Sequence, residues 1–145
     1  VKVKIKKLHP DAVIPKYATS GSSGFDLVAI EDVTINICQT KLVKTGLAID
    51  VGPGYELQVR PRSGLSLKTG LRVANSPGTV DSDYRGEVCV IMNLVPQDGT
   101  IAHTIKKGDR IAQGIVCPVV QAEFETAEEL EDTNRGSGGF GSSGT

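Results

Sequence analysis

The chain has no tryptophan, one methionine, and only three tyrosines and three phenylalanines among its 145 residues. The basic run Lys2, Lys4, Lys6 and Lys7 is not interleaved with aromatics, so it reads as a solvated strand face and not as a nucleic-acid surface. Only two histidines occur, His9 and His103, and neither stands beside a cysteine or at helical metal spacing, which leaves a His/Cys zinc site little to build on. The three cysteines, Cys38, Cys89 and Cys117, are odd in number, far apart and outside any CxxC pair; they read as reduced core thiols. Net charge is −1, from 16 basic and 17 acidic residues, so no global positive field draws the protein to polyanions, and any polyanion must be bound at a local site. The longest uncharged apolar stretch, Ile111 to Val120, is broken by Gln113, Gly114 and Pro118 and falls short of the ~20 residues that span a bilayer. The N-terminal Val1-Lys2-Val3-Lys4-Ile5 lacks the apolar core of a secretory signal, so a cytoplasmic location is expected.

What is present favours strands. Valine and isoleucine total 27 against 10 leucines, and β-branched side chains suit a pleated surface. Val1, Val3 and Ile5 alternate with lysines, and Leu57-Gln58-Val59-Arg60 repeats the period of two. Further strands are expected at Val33–Ile37, Lys41–Val51, Leu71–Val73, Gly86–Leu94, Ile101–Ile105 and Arg110–Val119, separated by Gly, Pro and Asp clusters. The pattern predicts an all-β domain of sandwich or barrel type. Ser63 to Lys68 can hold one or two helical turns, whereas Ala122 to Asp132 has too few apolar residues for an amphipathic helix and reads as an extended arm with a turn. The chain divides into a β domain with its arm, residues 1–134, and a tail, residues 135–145, that holds five glycines and three serines and cannot offset its own ordering entropy. Fully extended, the tail spans up to ~36–40 Å, enough to cross a neighbouring subunit. It also carries Arg135, Phe140 and several hydroxyls, which suits it either to a flexible terminus or to wrapping a phosphorylated, ring-bearing ligand.

Two segments carry chemistry. In Arg60-Pro-Arg62-Ser63-Gly64-Leu-Ser66, a strand end meets a helix start with a guanidinium, a hydroxyl and a glycine, a plausible phosphate seat or an ordinary helix start with a surface ion pair. In Asn75-Ser-Pro-Gly78-Thr79-Val80-Asp81-Ser-Asp83-Tyr84-Arg-Gly86-Glu87, turn residues suggest a hairpin brought close to something flat. Asn75 there offers both donor and acceptor to a base edge. Asp81 and Asp83 share a face if the segment is extended, and one of them could take a proton from water; Asp also simply suits turns.

Together these segments resemble the trimeric dUTP pyrophosphatases, a family with five short motifs in fixed order. The motifs stand here as Ser23-Gly24-Phe25-Asp26-Leu27, Arg60-Pro61-Arg62-Ser63-Gly64-Leu65, Gly78-Thr79-Val80-Asp81-Ser82-Asp83-Tyr84-Arg85-Gly86, Gly108-Asp109-Arg110-Ile111-Ala112-Gln113 and the glycine-rich tail. The resemblance implies a distorted jelly-roll, barrel-like fold in a homotrimer with an exchanged C-terminal arm, and hydrolysis of dUTP to dUMP and pyrophosphate, which limits uracil in DNA and supplies the thymidylate precursor. By the same resemblance Asp81 is the general base for attack of water on the α-phosphorus and holds the deoxyribose hydroxyl. Tyr84 packs on the sugar and excludes a ribose 2′-OH, while Asn75 and the backbone of Gly78, Thr79 and Val80 pair with uracil. Arg62, Ser63, Gly64 and Gln113 line the phosphates; Arg135, Gly141, Ser142 and Ser143 add to them as the tail closes, and Phe140 stacks on the base. Mg²⁺ is implied as a cofactor carried by the phosphates and linked through water to Asp26, and each site is shared among subunits. Ser143 stands where threonine is frequent in the family and Phe25 where the first motif varies; neither removes a functional group. Cys89 is expected in core packing. Two alternatives stay open: a dCTP deaminase of the same fold, for which Glu87 is the acidic candidate, and a non-catalytic nucleotide-binding regulatory trimer.

Overall fold

The computed structural model describes residues 1–142. In chain order it contains β1 (Lys4–Lys7), β2 (Phe25–Val28), β3 (Val33–Asn36), β4 (Thr40–Lys44), β5 (Leu47–Asp50), β6 (Tyr55–Arg60), α1 (Ser63–Lys68), β7 (Leu71–Val73), β8 (Gly78–Val80), β9 (Cys89–Leu94), β10 (Ala102–Ile105) and β11 (Arg110–Pro118). All pairings are antiparallel. They form a four-stranded sheet in the order β2-β11-β6-β8, a three-stranded sheet β4-β9-β7, and the pairs β1-β5 and β10-β3. The all-β expectation, with α1 at Ser63–Lys68, agrees with this architecture.

Alternation sets which side of each strand is buried. In β6, Leu57 and Val59 are buried while Gln58 and Arg60 remain partly accessible; in β9, Val90, Met92 and Leu94 point into the core and Cys89, Ile91 and Asn93 do not. One apolar cluster joins all four sheets, with Leu27, Ile35, Val43, Leu57, Val90, Met92 and Ala112 fully excluded from solvent. β11 departs from strict alternation. Its register against β2 shifts between Arg110 and Ala112, so Ile111 and Ala112 are both buried in succession and Arg110 and Gln113 fall outside the core.

Three expectations need correction. The stretch Lys41–Val51 is two strands, because Gly46 has φ +68°, a left-handed conformation, and a Cβ there would meet Ala12 Cβ at 2.9 Å. The strand expected from Gly86 begins at Cys89 instead. Residues 87 and 88 are tied to the β4–β5 turn: Gly46 N donates to Glu87 Oε1 at 2.7 Å, Val88 N donates to Leu47 O at 2.7 Å, and the buried Thr45 hydroxyl donates to the Val88 carbonyl. The cysteines are free but are not core residues. Cys38 is exposed in the β3–β4 turn at φ +60°, and Cys89 and Cys117 are only half-buried on the outer faces of their strands.

Beyond β11 the described chain has no strand or helix, and its apolar side chains find no cover: Val120, Phe124 and Leu130 are 94%, 95% and 88% exposed. No helix is long and apolar enough to cross a membrane among the described residues.

Candidate functional site

The expected site residues outside the tail gather into two separate cavities. The first, about 290 Å³, is lined by Asn75, Gly78, Thr79, Val80, Asp81 and Tyr84, six of the seven residues assigned to base and sugar; Phe140 of the tail is the seventh. β8 adds to the edge of the sheet through Gly78↔Val59 and Leu57↔Val80, which fixes this wall against β6. Gly78 permits a close approach: a Cβ there would come within 3.3 Å of Val59 Cβ and 3.2 Å of Asn75 Nδ2.

Tyr84 is folded back over the loop that carries it. Its hydroxyl donates to the Glu87 carbonyl at 3.1 Å, and a Cβ on Gly86 would overlap the phenol ring, so the absence of a side chain at Gly86 makes room for it. Arg85 holds the loop, donating to the Ser82 carbonyl at 2.7 Å and pairing with Asp50 Oδ1 at 3.3 Å at the end of β5. The Asp81 side chain has no hydrogen bond or ion pair among the described residues, and it sits where the first cavity meets a further opening lined by Tyr55, Asp83 and Gln121. Asp83 lies only on that further opening. An exposed, uncommitted carboxylate beside a base-sized cavity is suited to accept a proton from water.

Sequence reading missed the rest of this cavity. Leu42 and Ile91 form an apolar wall, and Cys89 faces the cavity instead of the core. Burial pushes the Cys89 thiol up to about 11, with the nearby Glu87 charge acting in the same direction. Glu87 also lines the cavity, but one of its carboxylate oxygens is committed to the Gly46 amide.

The second cavity, about 280 Å³, is lined by Asp26, Arg62, Ser63, Gly64 and Gln113, the residues assigned to phosphate and metal, together with Lys16 and Arg110. β11 aligns them: Gln113 is the cross-strand partner of Asp26 on one side and of Arg60 on the other. Its side-chain amide donates to the Pro61 carbonyl at 2.9 Å, fixing the turn that leads to α1. Arg62 has extended backbone and precedes the helix without a side-chain cap, so the first amides of α1, beginning at Ser63 and Gly64, have no partner within the helix.

Asp26 is the only carboxylate in this cavity and is shared by two guanidiniums, Arg62 Nε at 2.7 Å and Arg110 Nη1 at 3.3 Å. Arg62 in turn donates to the Arg110 carbonyl at 3.2 Å. The cavity is therefore electropositive, as a phosphate chain requires. No group of three or more His, Cys, Asp or Glu able to hold a metal exists among the described residues. A lone carboxylate fits an ion carried mainly by substrate phosphates and water, which is how Mg²⁺ usually binds, and does not fit a metal held by protein ligands alone.

The two cavities share no lining residue. Nor do the described residues of the tail line either of them. Arg135 Nε donates to the Gly138 carbonyl at 2.8 Å, Phe140 is fully exposed, and Gly141 and Ser142 sit in a local turn. Ser143 lies outside the described residues. One chain thus presents two separate cavities and an arm whose apolar side chains Val120, Phe124 and Leu130 are exposed.

The family model described as dUTPase matches residues 10–144. The chain is 56% identical over 145 residues to the deoxyuridine 5'-triphosphate nucleotidohydrolase of Helicobacter pylori strain P12, covering 99% of this chain and 97% of that protein. It is 55% identical over 144 residues to the same enzyme of Nautilia profundicola, covering 99% of each. Among solved structures, the dUTPase of Staphylococcus bacteriophage 80alpha with dUPNHPP superimposes with a TM-score of 0.88 at 26% identity over 99% of each chain. With a family model matched over residues 10–144 and relatives more than half identical over nearly their whole length, the chain belongs to the dUTPase family.

Proposed function

We propose that this chain hydrolyses dUTP to dUMP and pyrophosphate in a homotrimer whose sites lie between subunits. Identity above one half to enzymes named for this reaction supports the activity. The observation that carries the site is the separation of Asp81 and the base cavity from Arg62 and the phosphate cavity, since a whole triphosphate needs both. A neighbouring subunit can present its phosphate cavity to the Asp81 loop, and the exposed Val120, Phe124 and Leu130 supply an apolar arm to exchange between jelly-roll domains.

Uracil enters the first cavity, with Asn75 and the backbone from Gly78 to Val80 reading its edge. Cytosine presents a donor where uracil has an acceptor, and each buried group left unpaired costs about 1–3 kcal/mol. Tyr84 packs on the deoxyribose. Asp81 orients a water and takes its proton as the oxygen bonds to the α-phosphorus; the bond from that phosphorus to the bridging oxygen breaks, and its electrons leave with pyrophosphate. Arg62, Arg110, Gln113 and the first amides of α1 stabilise the charge developing on the phosphates. Mg²⁺, when bound with the substrate near Asp26, neutralises part of the triphosphate charge. Arg135, Phe140, Gly141, Ser142 and Ser143 from a third subunit close over the ligand and exclude water.

Hydrolysis in ¹⁸O-water tests this. Label in dUMP and none in pyrophosphate is expected with dUTP, with little turnover of dCTP, dTTP or UTP. Label in pyrophosphate, or no turnover of dUTP by folded protein, contradicts it.

A further inference from the structure

We propose that Lys16 is a substrate-binding residue that holds the phosphates beyond the α-phosphate, and so favours triphosphate and pyrophosphate over monophosphate. The proposal rests on the dUTP reading above, but its ligand chemistry, an inorganic or organic diphosphate, can be tested without turnover.

Charge balance is the first argument. The second cavity contains three cations, Lys16, Arg62 and Arg110, against the single carboxylate of Asp26. Both guanidiniums are already directed onto that carboxylate, at 2.7 and 3.3 Å. Lys16 has no hydrogen bond or ion pair among the described residues, so its charge is the uncommitted one in the cavity. An electropositive recess with an unneutralised ammonium at its edge is a place where a multiply charged anion gains most.

Placement is the second. Lys16 lies outside every strand, yet its neighbour Tyr17 forms an antiparallel bridge with Phe25, the residue beside Asp26. The Tyr17 ring meets the Phe25 ring edge-on with centroids 5.8 Å apart, and Phe25 is itself buried against the core. The backbone of Lys16 is thereby fastened to the strand that carries the cavity's carboxylate, while its exposed side chain keeps a flexible four-carbon stem. A compact ammonium on such a stem can follow a phosphate chain and adds a mobile charge to the two guanidiniums already turned toward Asp26. Neither the base wall nor Asp81 of the same chain lines this cavity, so what it meets of a nucleotide is the phosphate end, whose terminal phosphates carry most of the charge an ammonium can hold.

The experiment compares wild type, Lys16→Met, Lys16→Arg and the charge-matched control Lys2→Met. Binding of pyrophosphate with Mg²⁺ and of dUMP is measured by calorimetry, alongside dUTP kinetics across a salt series. Lys16→Met is expected to weaken pyrophosphate binding and to raise KM for dUTP by about 10-fold or more, the lower end for loss of one charge-assisted contact. It should leave dUMP binding as in wild type and make the decline of kcat/KM with salt shallower. Lys16→Arg should recover most of the loss, and Lys2→Met should match wild type. Unchanged pyrophosphate binding in Lys16→Met, or equal losses for pyrophosphate and dUMP, overturns the assignment. If wild type fails to turn over dUTP while Lys16→Met still loses pyrophosphate, the reaction falls and Lys16 stands; turnover with unaltered pyrophosphate binding gives the reverse.

Discussion

Arg62 Nε lies 2.7 Å from Asp26 Oδ1, so the guanidinium assigned to phosphate and the carboxylate assigned to the metal are already partners in the free chain. Both side chains are about one-quarter to one-third exposed, at 26% and 32%, and pairs of this accessibility contribute only ~0.2–1 kcal/mol to stability. The pair therefore adds little to the stability of the fold. If Asp26 meets Mg²⁺ through water as proposed, Asp26→Asn is expected to shift the thermal midpoint little while raising the Mg²⁺ concentration for half-maximal rate by about tenfold. Under the proposed mechanism Arg62→Ala should reduce kcat/KM by about 100-fold or more, the loss expected on removing a cation that faces the phosphates. Melting curves and Mg²⁺ titrations of the rate separate the two effects.

Gly86 and Tyr84 give a second expectation. A methyl at Gly86 overlaps the phenol ring, so Gly86→Ala must displace Tyr84 while leaving it in the chain. Tyr84→Ala and Gly86→Ala should both relax discrimination against UTP, measured as the ratio of kcat/KM for dUTP and UTP. Retained discrimination in both would show that the ring does not screen the 2′ position.

The thiols should react unequally. Burial holds Cys89 protonated to about pH 11, whereas Cys38 stands exposed in a turn. Since the thiolate is the nucleophile, iodoacetamide at pH 8 should alkylate Cys38 first, with Cys89 more than about tenfold slower. Peptide mass spectrometry over a time course reads this directly. The ordering should reverse on neither addition nor omission of salt, because desolvation is the leading cause of the Cys89 shift.

Removing residues 135–145 should cripple turnover without unfolding the β domain. Among the described residues the core cluster contains none beyond 116, and the tail's described hydrogen bonds are local. An unchanged melting transition with kcat reduced at least about 100-fold is expected for loss of a closing segment. A truncated chain that keeps full turnover would remove the tail from the mechanism.

The sequence made the motifs legible because each is a turn or strand end whose residue types are dictated by chemistry. Asn75 through Tyr84 line one cavity and Asp26, Arg62 and Gln113 another, as their order suggested. Periodicity also located most strands, since Leu57, Val59, Val90 and Met92 obey a period of two. What it could not provide was contact between distant segments. The break at Gly46 depends on Ala12 lying beneath it, the position of Cys89 depends on which face of β9 the core occupies, and Leu42 joins the base cavity only through β4–β9 pairing. Lys16 was missed for the same reason, because its place beside Asp26 is created by the Tyr17–Phe25 bridge.

Subunit complementation tests the central claim, that each complete site joins two half-sites from different chains, most directly. Asp81→Asn and Arg62→Ala chains, each expected to be nearly inactive, are mixed, unfolded and reassembled, with mixed trimers verified by two affinity tags. Random assortment into trimers should restore dUTP hydrolysis to about a quarter of the wild-type rate, because some interfaces then pair an intact Asp81 loop with an intact Arg62 cavity. Mixed assemblies no more active than their parents would contradict the shared site.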